Sequence, residues 1–348
     1  MTPAPTPEAQ LAFLTKLQRL FAEGDFTATY KYALLISLAD LAVEVGRDDG
    51  DPLLITNRAI AAKFIELYWQ QTAPYAGGAG AVAGLLAQNK GTQAAVVTAI
   101  AEFRRQRPTT TVHSARSVPG YGALVQQVAQ TVRSQPVRYL QNLGGQTDEF
   151  LYESLAGGVV LKPGVGFCLR RFQPLVQQLA RSHWVGHIKR NRLNLPLVGQ
   201  ANDLESFLFE ASRQTLSIVG AGLRRVIGSN CFYCGSSVNE ADVDHFIPFS
   251  LHPRDLCHNF VLSHPACNRS KSDTLAARQH LARWIETTTE HNDALCEIGE
   301  DAGLIADLSS SRAVANWGYS NALAGGAQAW IQARTYEQVD NNYLDCFA

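Results

Sequence analysis

The sequence predicts a mainly α protein with a small α+β core. Three observations carry this. Apolar residues recur at helical spacing through most of the chain, starting with Leu11, Phe13, Leu14, Leu17, Leu20 and Phe21. Strand signals, which are short apolar or β-branched runs bounded by Gly, Pro or Asn, gather only near residues 150–165 and 243–262. With 46% hydrophobic and 18% charged residues in 348, the chain is an ordinary folded globular one, long enough for two or three domains.

After the first helix over residues 8–21, Asp25 or Thr27 caps a second that runs to about Glu44, and Gly46 stops it. Arg47 to Pro52 is a polar loop, and Thr56-Asn57 opens a third helix carrying Ile60, Phe64, Ile65, Tyr68 and Trp69. This helix, loop and helix fits either a DNA-reading helix-turn-helix or a plain helical hairpin. The Gly- and Ala-rich run Ala73 to Leu85 is a loop or a loosely packed helix. Further helices are expected over Thr92 to Arg105 and Tyr121 to Ser134. Between Phe150 and Val165 the pattern changes to a short β-hairpin turning at Gly157-Gly158. Leu169 to Ile188 returns to helix, broken near Pro174, with Leu175, Val176, Leu179, Trp184 and Ile188 inward.

Asn202 or Asp203 caps a helix to about Val226. Strands follow near Val243 to Ile247 and Phe260 to Leu262, then a helix from Ala266 to Thr287. The tail shows helical pieces around Asp293 to Asp307 and Arg312 to Thr335, with Trp317 and Trp330 as packing anchors. Four segments result: a helical N-terminal region (1–150), a basic hairpin and helix (151–201), a segment holding the two strands (202–290) and an acidic helical tail (291–348).

The third segment contains CFYCGSSVNEADVDHFIPFSLHPRDLCHNFVLSHPACNRSKSD, from Cys231 to Asp273. Cys231 and Cys234 form a C-x2-C pair and His264 and Cys267 an H-x2-C pair, a spacing that closes a tetrahedral Zn2+ site. Cys257 is a competing ligand or an ordinary half-buried thiol. By itself such a knuckle is structural. Between and beyond the pairs, however, stand Asp244-His245, Asn259 ahead of Phe260-Val261-Leu262, Asn268 directly after the last cysteine, and then Arg269 and Lys271. This order resembles the HNH endonucleases, the ββα-metal nucleases. Members of that family place the third zinc ligand five residues after the middle Asn and a catalytic Asn directly after the fourth ligand, where His264 and Asn268 fall. The resemblance covers 43 residues, Cys231 to Asp273.

It implies an HNH nuclease domain over 202–290 with His245 as general base, Asn259 orienting the His245 loop, and Asp244 and Asn268 holding a catalytic Mg2+ or Mn2+. The chemistry needs these types. Phosphodiester hydrolysis takes a deprotonated water, a cation beside phosphorus and relief for the leaving oxygen. An imidazole is largely neutral at pH 7, and a hard cation takes oxygen ligands. Asp242, two residues before Asp244, either assists the metal or is a solvated strand residue; Asp273 reads as helix-surface charge. Arg269 and Lys271 are candidate phosphate contacts.

Net charge is -1, yet its distribution is uneven: residues 103–202 hold 13 Lys and Arg against 3 Asp and Glu, and residues 286–348 hold 2 against 10. The basic stretch includes Arg170, Arg171, Arg181, Lys189, Arg190 and Arg192, with no acidic residue between Lys162 and Asp203. It reads as a DNA-contacting surface beside the nuclease segment, with the acidic tail as a competitor for it, unless folding interleaves the charges. The seven cysteines form no disulfide framework, no leader pattern opens the chain and no apolar run spans a membrane, all of which suit the cytoplasm.

The expected function is therefore metal-dependent DNA cleavage, in restriction or phage defence. In the resembling family one site cuts one strand, so a homodimer is expected for double-strand cleavage, as is a defence-system partner protein. Two rivals stand beside it: a non-catalytic zinc-containing nucleic-acid-binding protein and an RNA-directed nuclease of the same fold.

Overall fold

The computed structural model describes residues 2–77, 83–199 and 203–347. They group into two units, one of residues 1–110 and 116–209 and the other of residues 111–115 and 210–348. Residues 111–115 group with the second unit and residues 203–209 with the first.

In the first unit the elements are α1 (Pro7–Glu23), α2 (Tyr30–Val45), β1 (Leu53–Thr56), α3 (Asn57–Trp69), α4 (Ala95–Gln106), α5 (Tyr121–Ser134), α6 (Pro136–Tyr139), β2 (Asn142–Leu143), β3 (Gln146–Thr147), β4 (Tyr152–Ser154), β5 (Gly158–Leu161), α7 (Val165–Arg171), α8 (Gln173–Arg190), α9 (Leu195–Val198) and α10 (Leu204–Phe209). The Thr6 hydroxyl accepts from the Ala9 amide to start α1, and Thr56 does the same for α3 through the Ala59 amide. Fourteen of the sixteen α2 residues are buried, so α2 is the central helix of this unit, packed by α3, α7 and α8. Most of α3 is buried as well, which removes the helix-turn-helix reading: a helix enclosed by its own unit cannot enter a groove.

The hairpin expected over 150–165 is β4 and β5, and β1 joins it as a third antiparallel strand, Leu53 opposite Leu161 and Thr56 opposite Gly158. β1 lies where the sequence showed only the end of a loop. A Cβ on Gly158 would sit 2.2 Å from the Ile55 carbonyl oxygen, so this close pairing requires glycine. The helical run over 169–188 breaks at Phe172, ahead of Pro174 at the start of α8. Leu175, expected inward, is exposed. Residues 78–82, the middle of the Gly/Ala run, lie outside the described residues; at its ends Tyr75 and Gly84 bridge antiparallel. Asn202 also lies outside them.

The second unit contains α11 (Arg213–Ile227), β6 (Asp242–His245), β7 (Phe260–Ser263), α12 (Pro265–Lys271), α13 (Arg278–Glu290), α14 (Asn292–Ala302), α15 (Leu308–Ala324), β8 (Gln328–Gln332), β9 (Thr335–Gln338) and α16 (Asn341–Leu344). The helix expected from 203 to 226 is two, α10 and α11, the second capped by Ser212 accepting from the Thr215 amide. The helix expected over 266–287 is also two, because Ser272 takes a left-handed φ of 49° between α12 and α13. Leu295, Ile298 and Ala302 of α14 form one core with Val219 and Leu223 of α11 and with Phe260 and Leu262 of β7. A Cβ on Gly222 would meet the Ile298 side chain at 2.6 Å, which shows how closely α14 lies on α11. The acidic tail therefore belongs to the same core as the hairpin. The helical piece expected over 312–335 ends at Ala324 and a β-hairpin follows: the Trp330 amide donates to the Leu275 carbonyl and the Ala277 amide to the Trp330 carbonyl, so β8 is stitched to the segment after α12.

Candidate active site

Two short strands and a helix make the frame. β6 and β7 pair antiparallel with Asp242 opposite Ser263, Asp244 opposite Val261 and His245 opposite Phe260, and α12 follows β7 directly. Upstream, the Phe232 amide donates to the Leu262 carbonyl at 2.8 Å, laying the C-x2-C turn against β7. Within that turn the Cys231 amide donates to Ser236 and the Gly235 amide to Cys231, with Gly235 at a φ of 74°.

The turn brings Cys231, Cys234, His264 and Cys267 together, one ligand atom from each within 4.8 Å of the others. A tetrahedral Zn2+ with bonds near 2.3 Å to sulfur needs ligand-to-ligand edges of about 3.8 Å, so this donor set fits it. His264 is held in the required tautomer. Its Nε2–H donates to the Ser237 carbonyl at 3.1 Å, and Nδ1 faces the Cys234 sulfur at 3.3 Å. Burial opposes ionisation of Cys234, yet bonds from the Ser236 backbone, Cys231 and His264 bring its thiol down to about 7. Burial and the neighbouring Cys231 push Cys267 up to about 12. That is the expected strain of three thiols sharing one space, which a divalent cation relieves. Cys257 takes no part: it is buried in the α11 and α14 core, its thiol donates to the Leu295 carbonyl, and burial raises it to about 12.

On one face of the frame, Asp242 and Asp244 alternate along β6 toward α12. Asn268 donates to Asp242 at 3.1 Å. Lys271, one helical turn later, meets Asp244 at 3.1 Å and donates to the His245 carbonyl at 2.9 Å. The Tyr233 hydroxyl donates to the other side of this cluster, reaching Asp244 at 2.6 Å. Lys271 is 1% exposed and Asp244 7%. Burial lowers the lysine's pKa and the aspartate counters it. The lysine is thus turned inward as the buried counter-ion of Asp244, and Arg269 beside it is exposed. Breaking such a pair strands a buried charge. Lys271→Met is expected to destabilise the second unit by about 3–5 kcal/mol, read as a fall in its denaturant midpoint.

His245 has a different set of neighbours. Its ring packs on Phe260 at 4.6 Å and Phe249 at 5.2 Å, and Nε2 lies 2.6 Å from an Asp255 oxygen. An ionised carboxylate only accepts, so Nε2 carries the proton and the Nδ1 lone pair is left for another donor. The other Asp255 oxygen accepts from the Ala211 amide at 2.6 Å, fixing the carboxylate. Asn259 fastens the same loop. Its Oδ1 accepts from the Ile247 amide and its Nδ2 donates to the Ile247 carbonyl, at 2.8 and 2.9 Å. The His245 ring meets Asp255, Phe249 and Phe260, whereas Asp244 meets Tyr233 and Lys271 and Asn268 meets Asp242. β6 ends at His245, and the two sets flank the strand end from separate sides.

The basic stretch is divided by folding. Arg170 pairs with Asp48 at 2.8 Å and donates to the Ala42 and Val43 carbonyls, closing the C-terminal end of α2. Arg181 is buried, its guanidinium 4.7 Å from the centre of the Phe209 ring. Neither faces solvent as a DNA-contacting side chain would. Arg171 is half-buried, and Lys189, Arg190 and Arg192 are exposed.

Sequence reasoning passed over Asp255 and Tyr233. Asp255 stands alone in a loop, four residues before Asn259, and only the fold puts it against His245. Tyr233 had a fainter signal as the aromatic residue inside the C-x2-C turn. Asp273, expected on a helix surface, lies beyond the end of α12 and accepts from Ser250.

A family model described as HNH endonuclease matches residues 231–274, the span of the zinc-type cluster, both strands and α12. A second, described as a domain of unknown function (DUF8808), matches residues 10–197, more than half of the chain. No curated protein and no solved structure matches. Among the described residues no helix is long and apolar enough to cross a membrane. With its helical unit matched from residue 10 to 197, the chain belongs to the DUF8808 family of unknown function, and it joins to that unit an HNH endonuclease domain whose substrate class is nucleic acid.

Proposed function

We propose that the chain is a Mg2+- or Mn2+-dependent DNA endonuclease. The observation that carries this reading is the 2.6 Å pair of His245 with Asp255 at the end of β6. Asp255 sets the imidazole tautomer, and His245 Nδ1 takes the proton from a water that attacks phosphorus. Asp244, Asp242 and Asn268 offer carboxylate and amide oxygens on the other side of the strand end, a donor set that fits a hard cation. Asp244 retains lone pairs beyond those used by Tyr233 and Lys271. When bound, such a cation supplies Lewis-acid relief for charge on the leaving oxygen. The two residue sets serve opposite sides of an in-line displacement, which is why they need no common partner.

Charge supports a nucleic acid as the substrate held by the first unit, whichever sugar it carries. That unit has 20 Lys and Arg against 15 Asp and Glu, whereas the unit with the HNH motif has 10 against 16. Arg171, Lys189, Arg190 and Arg192 are the phosphate contacts proposed there, and Arg269 the one beside the site. A homodimer would give double-strand cleavage, and restriction or phage defence in the cytoplasm with a partner protein is the setting proposed.

Incubating the protein with supercoiled plasmid and, separately, with total RNA, each with Mg2+ or EDTA, tests the reading. Mg2+-dependent plasmid nicking is expected. RNA loss with intact plasmid would reassign the substrate, and binding without cleavage of either would leave a nucleic-acid-binding protein. Asp255→Asn is expected to lower the nicking rate roughly 10- to 100-fold, the kinetic equivalent of a charged hydrogen bond of about 1.5–3 kcal/mol. The Mg2+ concentration for half-maximal rate should stay in place, since Asp255 is not among the cation's donors.

A further inference from the structure

Within the first unit a cavity of about 790 Å3 opens between the end of α1, the start of α2 and the C-terminal half of α8. Its size falls in the range of about 300–1,000 Å3 usual for small-molecule sites. Aromatic rings line one part. Phe21 stacks on His183 with centroids 4.7 Å apart, Phe26 on Tyr32 at 4.4 Å, and the Phe21 and Phe26 planes lie within 2° of each other. Lys90, Arg190 and Arg192 line another part, all exposed, and no acidic side chain is among the described lining residues.

His187 lies in the lining as well, 6% exposed, and its Nε2 has no hydrogen-bond partner. A buried polar atom without a partner is uncommon in folded proteins, and one that lines a cavity is placed to bond a water or a bound molecule there. Burial, then Lys90 and Arg190, lower His187 to about 4, so this imidazole is neutral at pH 7 and able to accept or donate one bond without charge. The cavity thus offers flat π faces, one directional polar atom and a cluster of cations. An inorganic anion would leave the rings unused, and a purely apolar ligand would leave the cations unused. A planar heterocycle attached to a phosphate uses all three, because every base has a face to stack and phosphate pairs with Arg and Lys.

We infer that this cavity binds a nucleotide, with its base against the Phe21 and Phe26 rings, a base or sugar group bonded to His187 Nε2, and its phosphate held by Lys90, Arg190 and Arg192. The nucleotide is either free or one unit of a single strand.

Calorimetric titration of the full chain, without added divalent cation, separates these. The probes are the four nucleoside monophosphates, the matching nucleosides, ribose 5-phosphate, inorganic phosphate and a hexathymidylate strand. At least one monophosphate, or the strand, is expected to bind about tenfold or more tightly than ribose 5-phosphate and inorganic phosphate, as one stacking contact implies. Phe26→Ala and Arg190→Ala should each weaken that binding about tenfold. His187→Phe replaces the unpartnered nitrogen with an apolar ring and should preserve the thermal midpoint while weakening binding. Tight binding of a monophosphate identifies a free ligand; binding of the strand alone, with the same loss in the three variants, identifies a unit within a chain. Binding no tighter than that of ribose 5-phosphate, or strand binding untouched by all three variants, overturns the inference. Since no cleavage is read, failure of the nuclease proposal would leave this result unaffected.

Discussion

Replacing His245 by Ala is expected to lower plasmid nicking by about 10²–10⁴-fold, the usual loss on deleting a general base. Affinity for uncleaved DNA, measured in Ca2+ to block turnover, should remain near that of the unaltered protein, because the ring touches Phe249, Phe260 and Asp255 and no proposed phosphate contact. The two readouts together decide the matter. A variant that still nicks at the original rate would remove His245 from the chemistry and, with it, the proposed role of Asp255. Loss of both cleavage and binding would point to a collapsed loop instead, and a thermal melt of the variant distinguishes that case.

The second large effect is expected at the four-ligand cluster. Cys267→Ser should remove bound zinc, expected at about one per chain by elemental analysis, and abolish the cooperative melting of the second unit. Structural zinc in small modules contributes roughly 10–16 kcal/mol of apparent binding free energy, against about 5–15 kcal/mol for the stability of a whole domain. β6 and β7 are only four residues each, and Phe260 and Leu262 of β7 pack with α11 and α14, so the unit's core loses its strand layer when the knuckle opens. The first unit has its own core around α2, so its melting transition should persist in the same variant. Chelation at elevated temperature should reproduce the mutation. A zinc content of zero in the unaltered protein, with both transitions intact, would dismiss the metal centre.

How much of this was legible in the sequence varied with how local the signal was. Spacing alone announced the four zinc-type ligands, since a C-x2-C and an H-x2-C constrain a turn whatever surrounds them. Helices with apolar stripes, such as Pro7–Glu23 and Tyr121–Ser134, were readable for the same reason. Long-range pairing was not. β1 becomes a strand because Val159 and Leu161 lie beside it, more than a hundred residues later. The division of the basic stretch was equally hidden, for nothing near Arg170 announces the free carbonyls of α2 or Asp48. Ser272 in a left-handed conformation broke a helix whose periodicity ran on without interruption.

The Trp330 ring stands 5.2 Å from Tyr233, edge to face, and Tyr233 in turn holds Asp244. Trp330 is therefore part of the wall behind the carboxylate, although it follows Tyr233 by 97 positions. At translation speeds of about 5–20 residues per second, roughly 5–20 s separate the synthesis of the two. Only after Cys267 has been made does a nascent chain hold all four ligand residues, and even then it lacks the brace for Asp244, so the arrangement around that carboxylate is complete only once β8 has been made.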